Sequence, residues 1–151
     1  ISLECSRAGA AAAALWLTFQ LLPPRPDGLG RVLAAGRRAA LDWSGLLAAS
    51  GRLRLYQPPE LDIVCYFPVT GQASLTAIDQ ASARMLAGGM KDPAHPVYLS
   101  TLTVEAGAFT RRHPGVAADT GRARILRSVL MKPESETYTA QLHARIEELA
   151  G

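Results

Sequence analysis

The side chains able to do chemistry are few and scattered. His95, His113 and His143 stand 18 and 30 positions apart, and Cys5 lies 60 positions from Cys65. No pair has the short spacing of a structural zinc site, so isolated histidines and no metal are expected. The chain has no G-x-S-x-G elbow, no phosphate-cradling G-x-x-x-x-G-K-[ST] loop and no G-x-G-x-x-G fingerprint, and no catalytic residue is assigned. Gly28-Leu29-Gly30 and Gly88-Gly89 read as cap and turn glycines. Arg111-Arg112-His113 with Arg122, Arg124 and Arg127 is basic but not interleaved with aromatics, and the chain as a whole is only +3, which argues against a nucleic-acid partner. Arg127 differs from the others. By the two-residue period it shares a strand face with Ile125, Val129 and Met131, a guanidinium inside an apolar row. Such a charge needs a partner. A carboxylate gripped through two parallel hydrogen bonds would serve, as would an internal acid such as Glu105 or Asp119, or exposure on an edge strand.

The elements that would position these residues follow from periodicity. Leu15, Phe19 and Leu22 mark a first helix over Ser6–Leu22, stopped by Pro23-Pro24. Asp27 is a candidate cap for a second helix whose face is Leu29, Val32, Gly36, Ala39 or Ala40, Trp43 and Leu47, with Gly51 as a left-handed stop. The period then changes to two. Leu53 and Leu55, then Leu61, Ile63, Cys65 and Phe67, predict two strands joined by a tight turn. Ser74 can cap a helix striped by Leu75, Ile78, Ser82 and Met85 and ended at Gly88-Gly89. Val97–Val104 reads as a third strand, 105–121 as a long connection without period, Ala123–Met131 as a fourth strand. A last helix from about Ser135 carries Tyr138, Leu142, Ile146 and Leu149. This order suits an α+β layer: helices on one face of a mostly antiparallel sheet, preceded by a helical arm. The composition shift near Gly51 separates residues 1–50 from 51–151.

Length and composition bound the rest. A chain of 151 residues hides roughly 70% of the surface of its unfolded form, enough for one core. It is 48% hydrophobic and 19% charged, too apolar for disorder and too interrupted for several membrane spans. Of its 16 basic residues 14 are Arg, with Lys91 and Lys132 the exceptions, a skew that reads first as coding bias. Ala8–Pro24 is uncharged but holds Gly9, Thr18, Gln20 and an alanine block and follows Glu4, so a buried helix is expected rather than a span or leader. Two distant cysteines suit a reducing cytoplasm. Leu15, Trp16 and Phe19 together with the Trp43 face exceed what a small sheet hides, so a second copy is expected to cover part of them.

Several segments in order carry a resemblance. Ile1-Ser2-Leu3-Glu4-Cys5-Ser6-Arg7, Leu15-Trp16, Asp62-Ile63-Val64-Cys65-Tyr66-Phe67, Ala123-Arg124-Ile125-Leu126-Arg127-Ser128-Val129-Leu130 and Ile146-Glu147-Glu148-Leu149 resemble the C-terminal part of the group II pyridoxal-phosphate-dependent amino-acid decarboxylases. That family includes glutamate, aromatic amino-acid and diaminobutyrate decarboxylases. The resemblance implies the aspartate-aminotransferase type of fold, in which residues 1–50 leave a large cofactor domain absent from this chain and 51–151 form the small C-terminal domain. It implies a homodimeric carboxy-lyase with pyridoxal 5'-phosphate as cofactor and an amino acid as substrate. It also implies that Arg127 matches the arginine holding the substrate α-carboxylate in glutamate decarboxylase-like members. The chain departs from the family pattern in its lysines. The family's cofactor-bearing Lys follows a His, and neither Lys91 nor Lys132 does. No cofactor-binding residue is assigned, and the chain is not expected to be active alone. The other reading is a non-catalytic interaction or dimerisation module that kept the fold.

Overall fold

The computed structural model describes residues 9–93 and 95–151; the Ile1–Arg7 segment and Cys5 lie outside the described residues. The elements run α1 (Ala10–Leu21), α2 (Leu29–Ala49), β1 (Leu53–Leu55), β2 (Ile63–Pro68), α3 (Leu75–Lys91), β3 (Ser100–Glu105), α4 (Ala106–Arg112), β4 (Arg122–Val129) and α5 (Ser135–Ala150). The α+β reading holds. The strands form one antiparallel sheet in the order β1-β2-β4-β3, which places β2 and β4 in its centre.

Pairing of alternating apolar strands gives the sheet two apolar faces. On one, Val64, Tyr66 and Leu126 meet Ala39, Ala40, Trp43 and Leu47 of α2, Met85 of α3 and Ile146 of α5. The rings of Trp43 and Tyr66 lie 5.2 Å apart. Burial pushes the Tyr66 phenol far up, although its hydroxyl shares a hydrogen bond with Ser128. On the other face Cys65, Phe67, Val104, Ala123 and Ile125 pack with Tyr56, Phe109 of α4 and Val116. The helix stripes read from the sequence recur as buried residues in α2 and α3. Ser74 caps α3 by accepting from the Ala77 N–H, while Tyr138 of the α5 stripe is exposed.

Several local expectations are corrected. Asp27 does not cap α2: the amides of Gly28, Leu29 and Gly30 are taken by the carbonyls of Pro23 and Arg25, and Asp27 pairs with Arg25. Gly51 is not left-handed. Ser50 ends α2, its hydroxyl accepting from the amides of Arg52 and Leu53. Gly88-Gly89 does not end α3, which continues to Lys91; a Cβ on Gly89 would lie 2.6 Å from the Val97 carbonyl oxygen, so that glycine permits close packing. Residues 56–62, with Pro58-Pro59, replace the tight turn between β1 and β2. The 105–121 connection holds α4, too short to show a period. α1 buries no residue: Trp16 is 65% exposed and Leu15 55%, whereas Trp43 of α2 is buried in the core against Tyr66. Among the described residues no helix is long and apolar enough to cross a membrane.

Candidate functional site

Arg127 lies on central β4, directly opposite Cys65 of β2 and Ser100 of β3. Antiparallel partners point to one face, so the three side chains form a row across three strands. The rest of that face on β2, β3 and β4 is apolar: Ile63, Phe67, Leu102, Val104, Ala123, Ile125 and Val129. Below the row the face is closed, with Phe67 and Ile125 buried under Phe109. Above it the sheet opens, since Ile63 and Val129 are exposed. Arg127 therefore stands where the covered part of the sheet meets its bare part.

The geometry bears on two of the alternatives that the pattern of Arg127 left open, an edge strand and an internal acid. The strand is not an edge. Among the described residues neither Glu105 nor Asp119 pairs with the guanidinium, and the Asp119 carboxylate instead accepts from the Thr76 amide 2.9 Å away. Nε of Arg127 is buried without a hydrogen-bond partner, while the residue as a whole is half-buried and part of it stays accessible. Burial pushes the Cys65 thiol up and the neighbouring Arg127 charge draws it back, the electrostatic trace of a cation held against the apolar face. An unpaired, half-buried guanidinium on an apolar floor can grip an anion, and a planar carboxylate suits its fork.

The other arginines of the basic stretches do not join it. Arg124 turns to the opposite sheet face and binds Asp79 through both its backbone amide and Nε, at 2.8 and 2.9 Å. Arg112 lies over the Tyr56 ring. A polar groove of about 630 Å3, lined by Asp79, Gln80, Thr101, Thr103, Arg122 and Arg124 among others, opens on that opposite face, away from Arg127.

The histidines are separated. His113 is set among the rings of Tyr56, Phe67 and Phe109, with Nε2 2.9 Å from the Tyr56 carbonyl oxygen. In α5, His143 accepts from the Trp43 indole at Nδ1, 3.3 Å away, and turns Nε2 toward Glu147 at 3.7 Å. His95 is exposed. No group of three or more metal-ligating side chains comes together among the described residues.

The donor set does not suit covalent attachment of pyridoxal 5'-phosphate. Lys91 ends α3 and Lys132 follows β4, both exposed, whereas an amine activated for such a link needs a desolvated pocket. Sequence reasoning passed over Ser100, whose period-two face was legible but whose register against Arg127 was not.

No protein-family model matches the chain, and no curated protein matches it by sequence. Among solved structures it is similar to the glutamate decarboxylase domain of diaminobutyrate-pyruvate transaminase and L-2,4-diaminobutyrate decarboxylase from Vibrio parahaemolyticus. The TM-score is 0.62 at 14% sequence identity, over 92% of this chain and 25% of that one. The chain thus spans about a quarter of the length of that neighbour, and what it shares with it is an α+β fold.

Proposed function

We propose that this chain is the C-terminal part of a pyridoxal-phosphate-dependent amino-acid decarboxylase. Residues 1–50 would leave the large cofactor domain and 51–151 would form the small domain of a cytoplasmic homodimer. The observation that carries the reading is Arg127, a guanidinium with no ion-pair or hydrogen-bond partner among the described residues, on a largely apolar face of the central strands. The shared α+β fold and the sequence resemblance support it. In the whole enzyme the cofactor, held by the large domain, would supply an electron sink for decarboxylation. Arg127 binds the α-carboxylate of the amino acid and fixes its direction, and the apolar floor of the sheet keeps water from competing for the guanidinium. The lysine that carries the cofactor belongs to the large domain.

The test is substitution in the full-length enzyme. Hydrogen bonds to a charged group are worth roughly 1.5–3 kcal/mol each, so Arg127→Ala should lower kcat/KM by about ten- to a hundredfold or more. Arg127→Lys should recover only part of this, because an ammonium cannot form two parallel bonds. An unchanged kcat/KM for Arg127→Ala overturns the assignment. A second reading, a non-catalytic module that kept the fold, draws on the two exposed lysines and on the bare apolar helix α1. Borohydride reduction in the presence of pyridoxal 5'-phosphate separates the two when applied to the complete natural gene product. A label on a lysine outside these 151 residues supports the enzyme, and absence of any label supports the module.

A further inference from the structure

We propose that Ser100 is a second binding residue for the carboxylate held at Arg127, an inference that rests on the reading of Arg127 given above. Across β2, β3 and β4 the sheet face described above carries only two strongly polar side chains, Arg127 and Ser100. The register makes them direct cross-strand neighbours. Opposed residues in an antiparallel pair have Cβ atoms about 4.5–5.5 Å apart, a spacing that lets one carboxylate meet both side chains. The Ser100 hydroxyl has no hydrogen bond within the described residues, and Ser100 itself is half-buried on the outer strand. Cys65 closes the row on the other side and is buried. A ligand at Arg127 therefore has a thiol wall at one flank and a hydroxyl donor at the other. The guanidinium provides charge and a planar fork, and the serine provides one further O–H donor to a carboxylate oxygen. Together they favour a carboxylate over its uncharged amide and fix the ligand toward the β3 side of Arg127.

The two assignments are separated by titrating the 151-residue chain with sodium acetate, against sodium chloride at equal ionic strength and against acetamide, and following backbone amide resonances of residues 99–101 and 126–128. Acetate should give saturable shifts there and acetamide none. Ser100→Ala should weaken acetate binding by about three- to tenfold. Ser100→Thr, which keeps the hydroxyl, should bind as the unaltered chain does. Arg127→Gln should abolish saturation. If that variant loses its amide dispersion, Arg127→Lys replaces it and should bind more weakly than the parent. Unaltered affinity in Ser100→Ala with loss at Arg127 overturns the role of Ser100 and leaves that of Arg127 standing, as does equal weakening in the Ala and Thr variants. Acetate binding that survives substitution of Arg127, or an unaltered chain that shows no saturable shift, overturns both.

Discussion

Arg127 and Arg124 sit three positions apart on one strand and meet opposite fates, because that spacing turns them to opposite faces of the sheet. Arg124 finds Asp79, and Arg127 finds an apolar floor. Burial alone would raise the Asp79 carboxyl, but the side chain and amide of Arg124 outweigh it and hold the carboxyl below its ordinary value. A depressed carboxylate stabilises the fold at pH values above its unfolded pKa, and that contribution is lost as pH falls through the lower, folded value. With both partners partly exposed, Asp79→Asn should cost only about 1 kcal/mol at neutral pH. Urea unfolding should show the gap between Asp79→Asn and the unaltered chain closing in acid below the ordinary carboxylate range. A gap that persists there would show that the ion pair is not its source.

At the scale of elements, α2 shows how one helix combines a tight approach with a free surface. A Cβ on Gly36 would lie 2.8 Å from the Leu130 carbonyl oxygen and 3.0 Å from Cβ of Asp62, at the end of the sheet where the Leu130 amide donates to the Asp62 carbonyl. The Leu130 carbonyl is backbone and Cβ of Asp62 is bonded directly to backbone, so neither can yield easily. Gly36→Ala should therefore destabilise by about 1–3 kcal/mol through overpacking. Gly45 lies in the same helix with nothing within 4 Å of its Cβ position. Gly45→Ala should stabilise by roughly 0.5–1 kcal/mol through helix propensity alone. Thermal unfolding of the pair checks this: a Gly36→Ala that does not lower stability would refute the contact at Gly36, and a destabilising Gly45→Ala would refute the open site at Gly45. The brief helix α4 works differently: Phe109 alone is buried on it, yet it closes the sheet face beneath Arg127.

At the scale of the molecule, α1 is apolar almost all round and buries nothing. Helices of that kind are stable only when covered, and Leu15, Trp16, Leu17 and Phe19 give an exposed surface that soluble proteins use for association. In the proposed homodimer a second copy supplies part of that cover, so the isolated chain should self-associate. Leu15→Glu with Phe19→Glu should shift its mass toward the monomer in light scattering after size exclusion; monomeric behaviour of the unaltered chain would remove α1 as the contact. The sequence by itself determined the types of the elements other than α4, the antiparallel α+β class and the stripes of α2 and α3, because each depends on a local period that hydrophobic burial enforces. It also marked Arg127, since a charge in an apolar period-two row is visible without coordinates. The tertiary structure alone decided that Trp43 goes under the sheet while α1 stays outside, that glycines 36 and 89 serve close packing, and that Ser100 stands beside Arg127. The place of Ser100 depends on strand order and register, which bring it beside a residue 27 positions away, and the packing at the two glycines depends on contacts outside their own helices.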